Sequence, residues 1–111
     1  MDNCIFCKII AGEIPSNRVY EDDHVYAFRD INPQAPVHVL IVPKKHFANI
    51  LECDAETAAA LTDAIRAVAK QEGVDESGFR VISNCGPDGA QSVNHLHVHL
   101  LGGVKLAERM A

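Results

Sequence analysis

The feature that most constrains the fold is a strict alternation of histidine and aliphatic residues near the C-terminus, HLHVHL at 95–100. Successive side chains of a β-strand point to opposite faces, so the three imidazoles would share one face and the aliphatic side chains the other. Histidines two residues apart lie about 7 Å apart along a strand, so one metal ion can be reached by two neighbours but hardly by all three. The alternation therefore predicts a core strand whose histidines have different functions.

Several other segments carry strand or helix patterns. NRVYE and HVYAFRD are strand-like runs joined as a hairpin, and VHVLIV, FRVISN and VNHLHVHLL follow them along the chain. Residues 54–73 predict a long helix with Asp54 as its N-cap and Gly73 at its end, and residues 4–11 predict a short helix. Because short turns join most strands, we expect an α+β domain over residues 1–111, with about five mainly antiparallel strands, one long helix and one short helix.

Charge and hydropathy argue against two classes of partner. The net charge is -5, and the basic residues form no run longer than Lys44-Lys45, so a nucleic-acid-binding face is not expected. The N-terminus lacks the pattern of a signal peptide, and no apolar segment approaches the ~20 residues that span a bilayer. We therefore expect a cytoplasmic protein that binds neither nucleic acid nor membrane and keeps its cysteines reduced. A small phosphate-bearing ligand is compatible with this charge.

The histidine row has three interpretations. It could be a solvated strand face, a His-x-His metal site, or a nucleophilic imidazole with two assisting neighbours. The third has a physical basis, because neutral imidazole is a good nucleophile toward phosphorus and its reference pKa is about 6.5. A hydrogen bond from one ring nitrogen to a backbone carbonyl would fix the tautomer and leave the other lone pair free to attack.

A glycine-rich turn, GPDGAQS at 86–92, leads directly into this row. Its small residues would let backbone amides approach an anion, and Ser92 adds a hydroxyl. The sequence is also that of an ordinary turn. Next to the histidines, it is a candidate to bind phosphate through Ala90, Gln91 and Ser92.

HLHVHLL matches the His-φ-His-φ-His-φ-φ pattern, with φ apolar, of the histidine triad (HIT) family. The match extends over most of the chain, since IFCKIIAGEIPSNRVYEDDHVYAFRDINPQAPVHVLIVPKKH and GAQSVNHLHVHLLGG both resemble the Hint branch, the purine nucleoside phosphoramidases. The resemblance implies a five-stranded antiparallel sheet with a long helix, and a homodimer in which two sheets combine. It also implies attack on the α-phosphorus of a purine nucleoside 5′-phosphoramidate, or another AMP conjugate, through a nucleotidyl-histidine intermediate that water hydrolyses.

The resemblance also implies roles for individual residues. By position, His97 would be the nucleophile, and His99 and His38 would bind the phosphate. Ser92 would contact the phosphate or the leaving group, and Asn84 would support the pocket. Asp30 matches the carboxylate that binds the ribose hydroxyls, with a turn cap as its alternative. Residues that match the apolar walls around the purine, with core packing as the alternative, are Phe6, Ile14, Phe28 and Ile31.

Cys4 and Cys7 have the spacing of a metal-binding pair, with a redox pair as the alternative. The resemblance to bacterial HIT proteins and hexose-1-phosphate uridylyltransferases implies that His46 and His95 complete a structural zinc site. His95 would then hold metal while His97 attacks. Cys53 and Cys85 are interpreted as small apolar residues.

The chain departs from the Hint pattern at three places. Its C-terminus, GGVKLAERMA, lacks the Trp and Pro common in that branch, Asn94 stands where an aromatic residue is common, and Ala90 stands where glycine is common. These departures leave the leaving group open. Alternative functions are dinucleoside polyphosphate hydrolysis, zinc-dependent hydrolysis, and a nucleotide-binding interaction module with incidental activity.

Overall fold

The chain folds into one five-stranded antiparallel sheet with a helix on each face, in a computed structural model that describes residues 3–111. Met1 and Asp2, the first residues of the N-terminus that lacks a signal-peptide pattern, lie outside the described residues. The elements in chain order are α1 Ile5–Ile10, β1 Arg18–Glu21, β2 Val25–Arg29, β3 Val37–Pro43, a 3₁₀ turn Ile50–Glu52, α2 Ala55–Gln71, β4 Phe79–Ile82 and β5 Val98–Gly102. The spatial order β1-β2-β3-β5-β4 places β5 between β3 and β4.

The long helix begins and ends where the sequence predicts. Asp54 is its N-cap and accepts a hydrogen bond from the Thr57 N–H at 2.8 Å. Its buried face includes Leu61, Ala64 and Val68. Gly73, with φ of 74°, adopts the left-handed conformation that commonly follows a helix end. The capping residues thus set the length of α2, and the helical spacing of its apolar residues sets the face that packs on the sheet.

The two faces of the sheet form two separate apolar clusters. The α2 face includes Val39 and Ile41 of β3, together with Leu96, Val98 and Leu100. On the opposite face, which α1 covers, the buried residues are Phe6, Ile9, Tyr26, Phe28, Leu40 and Val42. Because side chains alternate along β3, His38 lies on the same face as Leu40. The histidines of interest therefore lie on the α1 face.

One strand boundary differs from the prediction. The run VNHLHVHLL predicts a strand over its whole length, but β5 begins only at Val98. Upstream of it the chain bends, and the Leu96 N–H donates to the Phe47 carbonyl at 2.7 Å rather than to a strand partner. The alternation survives this bend, since Leu96 still packs in the α2-face core.

The predicted α+β class is confirmed, with five antiparallel strands, one long helix and one short helix. Within residues 3–111, no helix combines the length and the apolar character needed to cross a membrane.

Candidate active site

A cavity of about 420 Å³ lies on the α1 face of the sheet, a size typical of small-molecule sites. One wall is apolar, and Asp30, Ser92, His97 and His99 line the remainder. The predicted nucleotide-site residues that line this cavity are Phe6, Ile14, Phe28, Asp30, Ile31, Ser92, His97 and His99. Phe6 and Phe28 pack edge to face, with ring centroids 5.6 Å apart, and Ile31 is 90% exposed at the surface. The structure thus brings most of the predicted residues around one cavity.

Four other predicted residues do not line this cavity. His38 is buried behind His99, and the other three belong to the turn beneath the cavity or adjoin it. Asn84 donates through Nδ2 to the Gly89 carbonyl at 2.7 Å. The N–H groups of Ala90 and Gln91 donate within the turn, to the carbonyls of Pro87 and Gly86.

The Gln91 side chain ties this turn to the rest of the protein. Its Nε2 donates to the carbonyls of Ala48 and Val93, at 2.6 and 2.9 Å, and its Oε1 accepts from the Gly86 N–H at 3.0 Å. Only glycine fits at position 89, because a Cβ atom there would overlap the backbone of Cys85. The Gln91 side chain therefore fixes the turn to the segments that contain Ala48 and Val93.

His97 has one ring nitrogen occupied by a backbone bond. Its Nδ1 lies 2.7 Å from the His95 carbonyl oxygen, which can only accept, so Nδ1 carries the proton. In the neutral ring Nε2 then holds a free lone pair. The Ser83 hydroxyl donates to the His97 carbonyl at 2.9 Å, and the Phe6 ring packs edge to face on the imidazole. The ring is thus held in one tautomer and one orientation. His97 is also buried, with 2% of its surface exposed.

A chain of hydrogen bonds fixes the tautomers of His38 and His99. The Gln34 backbone N–H donates to Nδ1 of His38 at 3.0 Å, so the proton of neutral His38 is on Nε2. That nitrogen lies 2.9 Å from Nδ1 of His99 and 3.4 Å from Oδ2 of Asp30. His99 accepts at Nδ1, so its own proton is on Nε2. A single backbone N–H therefore makes His99 a hydrogen-bond donor in the cavity that it lines.

The surroundings of His38 and His99, the two histidines of this hydrogen-bond chain, favour the neutral state of both rings. Burial lowers the pKa of His38, and the Asp30 carboxylate opposes this effect. Burial also lowers the pKa of His99, and the neighbouring His97 and His38 lower it further. At pH 7 the neutral tautomers of His38 and His99 are therefore the ones that populate the site.

Cys4, Cys7, His46 and His95 form a compact cluster beside the cavity. His95 is fully buried, and its Nε2 donates to the Pro43 carbonyl at 2.9 Å. In the neutral ring Nδ1 therefore carries a free lone pair. That Nδ1 lies 3.3 Å from Sγ of Cys4, 3.5 Å from Sγ of Cys7 and 3.1 Å from Nδ1 of His46. Burial and the neighbouring Cys4 raise the pKa of the Cys7 thiol to about 11 in the absence of a cation.

The cluster fits a zinc ion. Tetrahedral zinc with bonds of about 2.0–2.3 Å keeps its ligand atoms roughly 3.3–3.8 Å apart, close to the separations of 3.1–3.5 Å found here. Two thiols and two imidazoles are the ligand set of a structural zinc site, and the Pro43 carbonyl fixes the tautomer of one imidazole. With four protein ligands the coordination shell is full, so the ion that fits this site is structural.

Helix α1 joins the cluster to the cavity. Cys4 is its N-cap, and Cys4 Sγ accepts from the Cys7 N–H at 3.4 Å. Phe6 and Ile9 of the same helix are buried and line the cavity. A helix of six residues thus presents the thiol of Cys7 to the cluster and two apolar side chains to the cavity.

Several cavity residues are absent from the sequence prediction. They are Ile5, Ile9, Pro15, Ser16, Asn17, Arg29, Leu40 and Val93. Leu40 could have been found, because it lies two residues after His38 on the same face of a predicted strand. The others depend on how α1 and the segment after it lie over the sheet, and they carry no local signal.

A five-stranded antiparallel sheet with alternating histidines at a small-molecule cavity defines a histidine triad protein. The chain belongs to this family, since the HIT domain profile matches residues 11–106. It is 48% identical to a purine nucleoside phosphoramidase of Escherichia coli strain K12, over 99% of this chain and 95% of the relative. It is 56% identical to a 14 kDa zinc-binding protein of Zea mays, over 89% of this chain and 80% of the relative.

The fold has a near match among solved structures. A HIT family hydrolase from Clostridium thermocellum superimposes with a TM-score of 0.96 at 48% identity, over the whole of this chain and 99% of the other. The family and fold expected from the sequence are therefore confirmed.

Proposed function

We propose that this protein is a hydrolase that cleaves the P–N bond of purine nucleoside 5′-phosphoramidates through a nucleotidyl intermediate on His97. The observation that carries the proposal is the His97 ring, whose Nδ1 is bound to the His95 carbonyl and whose Nε2 is left as a lone pair beside the cavity. The similarity to a purine nucleoside phosphoramidase over nearly the whole chain supports this choice of substrate.

The arrangement of residues supports a binding mode for the nucleotide. The apolar wall of Phe6, Phe28 and Leu40 would contact the purine, and Asp30 would accept hydrogen bonds from the ribose hydroxyls. The α-phosphate would then lie between His97 and His99 near Ser92. His38 would act from behind His99 as a positioning residue.

The chemistry would proceed in two displacements. The Nε2 atom of His97 forms a bond to the α-phosphorus, and the bond to the amine breaks as the nitrogen takes up a proton, with the Ser92 hydroxyl as the nearby donor. Water then attacks the same phosphorus, one of its protons returns to the Ser92 oxygen, and AMP and neutral His97 are released. The Nε2–H group of His99 stabilises the charge that develops on the phosphoryl oxygens in both steps.

The metal cluster would contribute stability rather than chemistry. We place the protein in the cytoplasm, where reduced Cys4 and Cys7 can bind zinc. The ion would hold the N-terminal end of α1 against His46 and His95, and so fix the position of the His95 carbonyl on which His97 depends.

A homodimer would form through the β4 side of the sheet. Of the two edge strands, β1 carries the charged residues Arg18 and Glu21, whereas β4 exposes Phe79, Val81 and Ile82. A shallow apolar cavity of about 310 Å³ between α2 and β4 continues this surface. An exposed apolar edge strand is a template for pairing with a second chain, which supports dimerisation here.

The direct test is intact-mass spectrometry after mixing the protein with adenosine 5′-phosphoramidate and quenching in mild base, because phosphorylated imidazole is acid-labile. We expect an adenylyl adduct, AMP less one water, that is absent from His97→Ala and present in His24→Gln, a surface variant outside the cavity. Faster cleavage of diadenosine tetraphosphate than of the phosphoramidate would overturn the assignment of substrate. A His97→Ala enzyme with wild-type turnover would overturn the mechanism.

A further inference from the structure

A second cavity of about 580 Å³ adjoins the nucleotide cavity. Ile5, Ser92 and Val93 line both cavities, so the two meet along these three residues. Beyond them the second cavity is lined by Asn3, Asn94 and two members of the metal cluster, Cys4 and His46, none of which contributes to the nucleotide cavity. A molecule bound in the nucleotide cavity can therefore extend past Ser92 into a space with a different lining.

The position of this cavity suits a departing group. Displacement at phosphorus is roughly in line, so the leaving group must lie on the side of the phosphorus away from the attacking nitrogen. Neither His97 nor His99 lines the second cavity, whereas Ser92, the proposed proton donor, lies at its boundary. A phosphorus atom between His97 and Ser92 would direct its leaving group into the second cavity.

The lining also indicates what kind of group it would take. Asn3 and Asn94 offer amides that both donate and accept hydrogen bonds, and Ile5 and Val93 offer apolar surface. Among the described residues that line it there is no Lys, Arg, Asp or Glu. A carboxylate or polyphosphate would find no Lys or Arg side chain among these described residues and would lose hydration on entering the cavity.

We propose that this second cavity is the leaving-group subsite and that it selects amines with uncharged, hydrogen-bonding substituents, such as the amides of amino acids. The assignment rests on the proposed phosphoramidase function. In the balanced reaction AMP–NHR and water give AMP and RNH₂, and the subsite binds the R group.

The test compares three substrates of one series: AMP joined through nitrogen to hydrogen, to glycinamide and to glycine. We expect the wild-type protein to hydrolyse the glycinamide conjugate with a kcat/KM at least about tenfold above that of the glycine conjugate. Asn94→Trp, which fills the second cavity from an exposed position, should lower the ratio of kcat/KM for glycinamide over hydrogen at least about tenfold. Glu76→Trp, on an exposed turn away from both cavities, is the matched control and should leave the ratio unchanged.

The outcomes separate the two proposals. Turnover of the series with the same ratio in wild type and Asn94→Trp, or an equal rate for the two glycine-derived conjugates, would overturn the subsite and leave the phosphoramidase function standing. A loss of AMP affinity in Asn94→Trp equal to the loss for the glycinamide conjugate would also overturn it, because the substitution would then act on the nucleotide cavity. Absence of turnover for every member in the wild-type protein would overturn both.

Discussion

The backbone carbonyl of His95 accepts a hydrogen bond from Nδ1 of His97 at 2.7 Å, while the His95 side chain belongs to the Cys4, Cys7, His46 cluster. One residue therefore takes part in both sites, through different atoms. Any shift of the His95 backbone changes the hydrogen bond that fixes the His97 tautomer. The metal cluster and the His97 imidazole are coupled through a single residue.

Loss of the metal should destabilise the fold. Cys7→Ser, or treatment of the wild-type protein with a chelator, should lower the free energy of unfolding by on the order of 4 kcal/mol where free zinc stands at about a thousand times its Kd. Thermal unfolding followed by circular dichroism, with and without chelator, measures this loss. Cys85→Ser, outside the cluster, is the control and should keep its response to chelator. Equal melting temperatures for the two serine variants would argue against a structural ion.

Removal of the Gln34 N–H should disturb catalysis without touching a catalytic side chain. Gln34→Pro deletes the donor to His38, whereas Gln34→Ala keeps it. We expect kcat of the proline variant to fall roughly tenfold, the equivalent of about 1.4 kcal/mol of lost hydrogen bonding, and that of the alanine variant to stay near wild type. Imidazole ¹⁵N shifts of His38 and His99 report their tautomers directly. Unchanged shifts in Gln34→Pro would contradict the hydrogen-bond chain.

Stability should fall below pH 6.5 in part through His38. Its pKa is lowered in the folded protein by burial, so between its folded value and the unfolded value of about 6.5 the unfolded chain binds more protons. Stability from this group is therefore complete above pH 6.5 and is lost as the pH falls toward the folded pKa. Denaturant unfolding at pH 7.5, 6.5 and 5.5 should show a smaller pH dependence for His38→Gln than for wild type. His24→Gln, at a surface residue, should keep the wild-type dependence.

Ala90 carries backbone strain that glycine would relieve. Its φ of 57° makes it the one non-glycine residue of the described chain in the left-handed region. A left-handed alanine costs about 1–2 kcal/mol, and the extra freedom of unfolded glycine offsets about 0.4–1 kcal/mol of this. Ala90→Gly should therefore raise the free energy of unfolding by about 1 kcal/mol, within a range of roughly 0 to 1.6 kcal/mol. Ala59→Gly, on the exposed side of α2, should lower it by about the same amount, and matching signs would contradict the argument.

A charge on β4 should separate the proposed dimer. Val81 is 44% exposed on this edge strand, so a glutamate there costs little in the monomer but would be buried without a partner in a paired sheet. Sedimentation analysis should give a dimer for wild type and a monomer for Val81→Glu. The control is Arg18→Glu on the other edge strand, β1, which should remain dimeric. Tyr20 of β1 is not used because the Tyr20 hydroxyl donates to Asp22. A wild-type monomer at micromolar concentration would reject the dimer.

Local patterns predicted most of the fold. The strand-like pattern of β2, the β-branched run of β3 and the helical spacing in α2 identify these elements, and the spacing in α2 also identifies its buried face. The start of β5 was misplaced, because the backbone of Leu96 bonds to Phe47, a residue far away in sequence, and sequence spacing carries no record of that contact.

The site was less predictable than the fold. The Cys-x-x-Cys spacing identified Cys4 and Cys7, and the histidine row identified the imidazoles. The resemblance to a known family added His46 and His95 as metal ligands and implied the roles of the other side chains. The Gln34 N–H has no side-chain signal, since any residue except proline would supply it. The second cavity arises where α1 and the segment before β5 come together, so its members are adjacent only in space.

Helix α1 tolerates replacement at exposed positions such as Ile5 but should not tolerate a change in length. Each residue added or removed between Cys4 and Ile9 would rotate everything beyond it by about 100° around the helix axis. Such a change would rotate Cys7 away from the other metal-cluster residues and would also rotate Phe6 and Ile9 out of the nucleotide cavity. Engineering of this enzyme should therefore alter α1 by point replacement alone, and place any insertion after Gly12, where the helix has already ended.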